Sequence, residues 1–281
     1  MSDGINILLG PKEAGDEPYL MASRLKGVPV VVGEDRAEAG RYAVQKFAPS
    51  CIILDDGFQH LRLERDLNIL LVDATTGFGN GFLLPRGILR EPIEAVKRAS
   101  IAMVKGNGRR RLEGSGLEGS GLEGGAGKLL KKMKTPVVRF AYKPSSLTAL
   151  DGSETLPPDG LKNKRVLAVA GIANPESFFS TLRELKADIV ETVVYPDHHA
   201  YSKADLNRIE ALKKACPRAE MIVTTEKDGV KLKRLQGVQP PPGVQPLDQG
   251  GLQIHALSIE CSIEGQTEFE KALALFVKEG I

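Results

Sequence analysis

The chain has no tryptophan, and aromatic side chains make up only 5% of its 281 residues. The rest of the composition, 42% apolar and 26% charged, is that of a globular protein long enough for two ordinary domains. Cysteine is scarce as well. Cys51, Cys216 and Cys261 are an odd set without CxxC spacing, which argues against a disulfide framework or a zinc site and for a reducing compartment. No apolar run approaches the ~18 residues of a spanning helix. The opening Met-Ser-Asp-Gly-Ile-Asn-Ile-Leu-Leu-Gly is neither a signal nor a transit peptide, so any membrane association is expected to be peripheral. A net charge of +2 gives no reason to expect a nucleic-acid partner. Basic residues do gather from Lys97 and Arg98 through Arg109, Arg110 and Arg111 to Lys131, Lys132 and Lys134. A solvated linker is the favoured reading of that cluster, ahead of affinity for anionic lipid headgroups.

A phosphate-binding loop is missing too. Gly125-Ala-Gly-Lys128 imitates its end, but Gly-x4-Gly-Lys-[Ser/Thr] requires glycine at 122 and a hydroxyl at 129, and both are Leu. The imitation lies in a low-complexity insert over 108–135, where Leu-Glu-Gly-Ser-Gly repeats. Too little apolar surface is present there to offset chain entropy. The insert separates two α/β segments, 1–107 and 136–281.

What is present is a set of short apolar runs alternating with helical periodicity, the pattern of βαβ units on a parallel sheet. Strands are expected at Val28–Val32, Cys51–Leu54, Leu67–Asp73 and Ser100–Lys105, with residues 5–9 as a further strand or its remnant. More follow at Pro136–Tyr142, Ser146–Leu150, Arg165–Ala170, Ile189–Tyr195, Met221–Thr225 and Leu252–Ile259. Helices are expected over Tyr19–Lys26 and Asp35–Ala48, after Asn174-Pro175, after Ser202-x-x-Asp205 and over Gln266–Lys278.

The chain is organised around Cys51-Ile-Ile-Leu-Asp-Asp-Gly-Phe-Gln-His60. An unbroken apolar run leading into two carboxylates has the shape of a Walker B element, at the strand edge where open α/β sheets bind ligands. A plain strand followed by an Asp-Asp-Gly turn explains the short pattern equally well. Asp16 and Glu17 fall at a helix N-terminus, which capping alone would explain. In Asp197-His-His199 the two histidines point opposite ways on extended chain, so one His paired with a carboxylate as an acid/base unit is better motivated than a metal site. In Thr225-Glu-Lys-Asp228, capping accounts for Thr225 and Asp228 and leaves Lys227 needing a reason.

These motifs, in order, resemble one family, the tetraacyldisaccharide 4′-kinases of lipid A synthesis. The resemblance rests on Gly15-Asp-Glu-Pro18, Asp35-Arg36, Leu54-Asp-Asp-Gly-Phe-Gln-His60, Phe78-Gly-Asn80, Leu89-Arg-Glu-Pro92, Gly171-Ile-Ala-Asn-Pro175, Asp197-His198 and Thr224-Thr-Glu-Lys-Asp228. It implies a P-loop NTPase-like parallel-sheet domain plus a smaller α/β domain joined by a strand linker. It also implies transfer of the γ-phosphoryl of ATP, with Mg2+, to the 4′-hydroxyl of a tetraacyldisaccharide-1-phosphate at a membrane surface. That surface would be the cytoplasmic face of the inner membrane in a bacterium, or a mitochondrial or plastid one in a plant or alga. By motif, Asp16 matches the family's general base and His198 its assistant. Asp55 and Asp56 match the metal-holding acids. Glu17, Gln59, His60, Arg90 and Glu91 match positions around metal, phosphates or disaccharide.

Family members carry the phosphate-binding loop several dozen residues before Gly-Asp-Glu-Pro, whereas fourteen residues precede Gly15 here. The hydrophobic N-terminal helix of the family has no counterpart either. The 281-residue chain is therefore expected to transfer little phosphate, with an exposed sheet edge beside Cys51–Leu54. Two readings follow: a kinase sequence shortened at its start, or a relative that binds the lipid disaccharide without phosphorylating it.

Overall fold

The structure is a computed structural model, and it describes residues 1–74, 76–106, 131–132, 135–235 and 253–277. Most of the 108–135 insert and its Gly125-Ala-Gly-Lys128 lie outside the described residues. The fold is α/β with a mostly parallel, mixed sheet. It divides into two compact units. One comprises Met1–Val32 with Pro144–Glu260, the other Gly33–Lys143 with Cys261–Ile281. These bounds differ from the sequence segmentation at 107 and 136, because the N-terminal thirty-two residues pack with the later half of the chain. A segmentation by composition follows chain order and has no access to such long-range packing.

In the first unit, β5 (Arg165–Ala170) is central. It pairs in parallel with β6 (Asp188–Val194) on one side and β7 (Met221–Thr225) on the other, and β7 pairs with β8 (Ile254–Glu264). Arg165-Val-Leu-Ala-Val-Ala170 is buried from its second residue onward, as a strand covered on both faces must be. One layer of core joins Leu167, Val169, Ile209, Ile222 and Leu232, and the other Val166, Ala168, Phe178, Leu182 and Val223. The short β4 (Thr155–Leu156) runs antiparallel to the end of β3 (Val137–Ala149). The sequence pattern split β3 in two, at Pro136–Tyr142 and Ser146–Leu150. The structure makes it one thirteen-residue strand.

Helices α1 (Pro11–Ala14) and α2 (Asp16–Arg24) precede α3 (Arg36–Phe47), whose N-cap Asp35 accepts from the amides of Ala37 and Glu38. Those bonds hold the Asp35 carboxyl below its ordinary value. α4 (Pro175–Glu184) starts at Asn174-Pro175, and α5 (Lys203–Ala215) starts with the reciprocal Ser202/Asp205 capping box. α6 (Glu226–Leu235) follows β7 directly, and α7 (Gln266–Val277) closes the described chain.

In the second unit, β1 (Ile69–Asp73), β2 (Ile101–Lys105) and β3 run parallel, in register from Ile69 opposite Ile101 to Asp73 opposite Lys105. Phe269 and Leu273 of α7 pack on Ile101, Met103 and Phe140. Two expected strands are absent. Val28–Val32 makes only an isolated bridge, Ser2 to Val30. Cys51–Leu54 is not a strand, and Ile52 and Ile53 are 50% and 90% exposed. An apolar run becomes a strand only where a neighbour completes its ladder, and none of the described strands pairs with this one. Residues 5–9 are likewise largely exposed, and their sheet-type pairing is an isolated Ser2–Ile7 bridge.

Candidate functional site

The strongest cluster of polar groups lies in the first unit, where β7 ends and α6 begins. Asp228 is fully buried. Its Oδ2 accepts the Gly171 amide at 2.8 Å and the Thr225 hydroxyl at 2.7 Å, while Thr225 Oγ1 caps the Asp228 amide at 3.1 Å. Capping, the role expected from sequence, is thus only part of what Asp228 does. It ties the end of β5 to the start of α6.

One turn along α6 is Lys231, also buried. Its ammonium donates to Asp16 Oδ2 at 2.9 Å and to the His199 carbonyl at 3.2 Å, and it lies 3.5 Å from Asp228 Oδ1. A buried lysine needs such company, since removing its charge from water unpaired is prohibitive. Tyr201 completes the cluster. Its ring lies under the Lys231 ammonium at 5.3 Å, and burial together with the Asp228 charge pushes its hydroxyl pKa far up.

Asp16 reaches this cluster because it opens α2. Gly15 ahead of it has φ +91°, a backbone that side chains rarely tolerate. The carboxylate of Asp16 also lies 3.4 Å from Nδ1 of His198. His198 is itself in the left-handed region at φ +57°, with its amide donating to Asp197 Oδ1 at 2.9 Å. Asp197 sits below the ordinary carboxyl range. Burial raises it, but the hydrogen bond and charge of Lys227 and the His198 amide outweigh that. Lys227 is 3.2 Å from Asp197, 3.4 Å from His198 Nε2 and 3.6 Å from Glu17. The lysine left over in the sequence reading therefore braces the histidine. His199 turns the other way, stacked on Tyr195 and 3.3 Å from Asp205.

The remaining candidates lie in the second unit, on an irregular segment. Asp55 and Asp56 form an exposed turn rather than the end of a strand, with Asp56 at φ +48° and 3.1 Å from Arg90. Gly57 is required by space, because a Cβ there would meet the Leu54 side chain at 2.6 Å. Glu91 is 2.7 Å from Arg98, which also bonds the Phe58 carbonyl and covers the Phe58 ring. Arg65 bonds the carbonyls of Gly57 and His60, both at 2.7 Å, and so fixes the loop that carries Gln59 and His60. His60 lines a cavity of about 250 Å³ with Asp35, Arg36 and Arg62, while Gln59 is exposed. The sequence-predicted residues thus form two groups, Asp16, Glu17 and His198 in one unit and the others in the second.

Lys231 was missed by reading motifs, yet a signal existed. Asp228, Lys231, Leu232 and Leu235 recur at i, i+3, i+4 and i+7, which puts two charges on the inward stripe of a helix. Charges on such a stripe need a buried partner.

Comparison with known proteins gives this arrangement its context. The crystal structure of LpxK from Aquifex aeolicus in complex with ATP superposes with a TM-score of 0.70 at 32% identity, over 98% of this chain and 73% of that one. The class is therefore that of α/β proteins with a P-loop NTPase-type fold in its LpxK form. The family model described as tetraacyldisaccharide-1-P 4′-kinase matches residues 5–278. The tetraacyldisaccharide 4′-kinase of Syntrophus aciditrophicus is 42% identical over all of this chain and 71% of its own length. That of Desulfatibacillum aliphaticivorans is 40% identical over 97% and 68%. The chain belongs to the tetraacyldisaccharide-1-P 4′-kinase family, lipid kinases of lipid A biosynthesis.

Proposed function

We propose that Asp16 is the general base of the phosphoryl transfer, taking the proton of the acceptor's 4′-hydroxyl, with His198 assisting. The observation that carries this reading is the pairing of Asp16 Oδ2 with His198 Nδ1 at 3.4 Å and Lys231 at 2.9 Å. Lys231 is buried and anchors the carboxylate. His198 is 59% exposed, open to a substrate and able to receive the proton onward. As the acceptor oxygen bonds to the γ-phosphorus of ATP, the bond to the β-phosphate oxygen breaks, ADP departs and the hydroxyl proton passes to Asp16. The acceptor is a tetraacyldisaccharide-1-phosphate presented at a membrane surface.

In the second unit, Arg90 and His60 supply positive or hydrogen-bonding groups for phosphate oxygens. Glu17, Gln59 and Glu91 complete the binding positions. Mg2+ needs only one or two carboxylates besides phosphates and water, and the exposed Asp55 suits it, with Asp56 beside it paired to Arg90 at 3.1 Å. Asp55 and Asp56 would hold the ion, and its charge would offset that of the transferring phosphoryl group. In this reading the 1–107 segment that carries Asp16, Asp55 and Asp56 is the partial kinase domain, and 136–281 is the second α/β domain.

The test is a phosphotransfer assay with ATP and a disaccharide-1-phosphate acceptor. The 281-residue chain is expected to transfer little phosphate, because no Gly-x4-Gly-Lys-[Ser/Thr] occurs in it. A chimera with a family phosphate-binding segment ahead of Met1 is expected to be active. Asp16→Ala and His198→Ala in that chimera each lower turnover by ~10²-fold or more. Near-full rates in both would overturn the assignment. Acceptor binding by a chimera that never turns over would favour the binding-only relative.

A further inference from the structure

A second surface feature stands out in the unit that carries Asp55 and Arg90. Gly81-Phe-Leu-Leu-Pro-Arg-Gly-Ile-Leu-Arg90 folds back on itself as a narrow loop whose exposed side chains are mainly large and apolar. Phe82, Leu83, Leu84 and Ile88 are each 44–63% exposed. Single exposed apolar residues need no explanation, but four on one short loop mark an interaction surface.

The loop is built to hold this shape. The Leu84 amide bonds the Leu89 carbonyl at 2.9 Å, Leu89 bonds Phe82 at 3.2 Å and Gly87 bonds Leu83 at 2.9 Å. Asn80 accepts from the Phe82 amide and donates to the Arg86 carbonyl, tying both arms together. A Cβ at Gly87 would meet the Asn80 side chain and the Phe82 carbonyl at 2.2 Å, so only glycine fits. Pro85 has no amide to satisfy. Several of the loop's donors are thus consumed internally, which lowers the cost of moving the tip out of water.

Charge indicates the occupant. Arg86 lies over the Phe82 ring at 3.9 Å and has no carboxylate within 4 Å among the described residues. An arginine whose stem follows apolar groups while its head stays free is suited to the boundary between acyl chains and headgroups. We infer that the Phe82–Ile88 loop docks on an anionic phospholipid bilayer, its apolar side chains in the acyl boundary and Arg86 on the headgroup phosphates. This inference rests on the reading of the chain as a lipid kinase at a membrane, but its test needs no catalysis, so the two can fail separately.

The test is co-sedimentation of the full 281-residue chain with vesicles free of any disaccharide lipid. One set is phosphatidylcholine alone, the other an equimolar mixture with phosphatidylglycerol. Binding is expected to the anionic set and to be much weaker to phosphatidylcholine. Leu84→Glu/Ile88→Glu and Arg86→Glu should each lower the bound fraction by about tenfold while leaving the unfolding transition in place. Leu84→Ser/Ile88→Ser serves as the milder variant should the acidic pair perturb folding. Wild-type chain that stays in the supernatant, or variants that bind as well as wild type, would overturn the inference. So would a wild-type dimer that these changes dissociate without affecting vesicle binding, since the loop would then be a self-association surface.

Discussion

The ammonium of Lys231 lies 2.9 Å from the carboxylate of Asp16, 215 positions earlier in the chain. The two side chains are 7% and 11% exposed, so the pair is largely removed from water. It joins the start of α2 to the inward face of α6 and sets the direction in which the Asp16 carboxylate can act.

Removing Lys231 leaves Asp16 and the fully buried Asp228 without their shared cation. Lys231→Met is expected to cost about 3 kcal/mol of stability, since breaking one side of a buried pair strands the other. A urea-unfolding cycle with Asp16→Asn should show a coupling of about 1 kcal/mol or more. Additivity within the error of the cycle would mean that the pair does not bind α2 to α6.

Gly171 ends β5 directly against the same cluster. A methyl group there would sit 2.7 Å from the Tyr201 hydroxyl and 3.0 Å from Asp228 Oδ1. Gly171→Ala is therefore expected to destabilise by about 2 kcal/mol through overpacking. The cost should shrink in a Tyr201→Phe background, where the nearest clashing atom is gone. An equal cost in both backgrounds, measured by thermal or urea unfolding, would show that the Tyr201 hydroxyl is not the obstacle.

Asp205 provides the pH-dependent element. Its carboxyl lies below the ordinary aspartate value. Burial raises it, but hydrogen bonds from the Ser202 side chain and amide, together with the nearby His199 ring, more than offset this. A depressed folded-state pKa adds stability that is present above the unfolded aspartate value and is lost as pH falls through the folded one. Asp205→Asn is thus expected to cost about 1 kcal/mol near neutrality, and the gap from wild type should close on acidification below about pH 4. Urea midpoints measured across that range decide the matter. A gap independent of pH would locate the effect in the lost cap geometry instead.

Local chemistry made much of this protein legible from its sequence. Arg165–Ala170, Met221–Thr225 and the capped helix after Ser202 were readable because apolar runs and caps act over a few residues. The ordered motifs around Asp16, Asp55 and His198 carried the family, which the wider comparisons show. Three things only the tertiary structure decided. Cys51–Leu54 is as apolar as any strand, yet strand formation depends on a neighbour, and local pattern cannot show whether one exists. Residues 1–32 belong with 144–260, a partition set by packing between distant segments. Lys231 belongs to none of the motifs in the sequence. It becomes the anchor of Asp16 because a buried charge must find its counter-charges wherever the fold brings them, here 3 and 215 residues away.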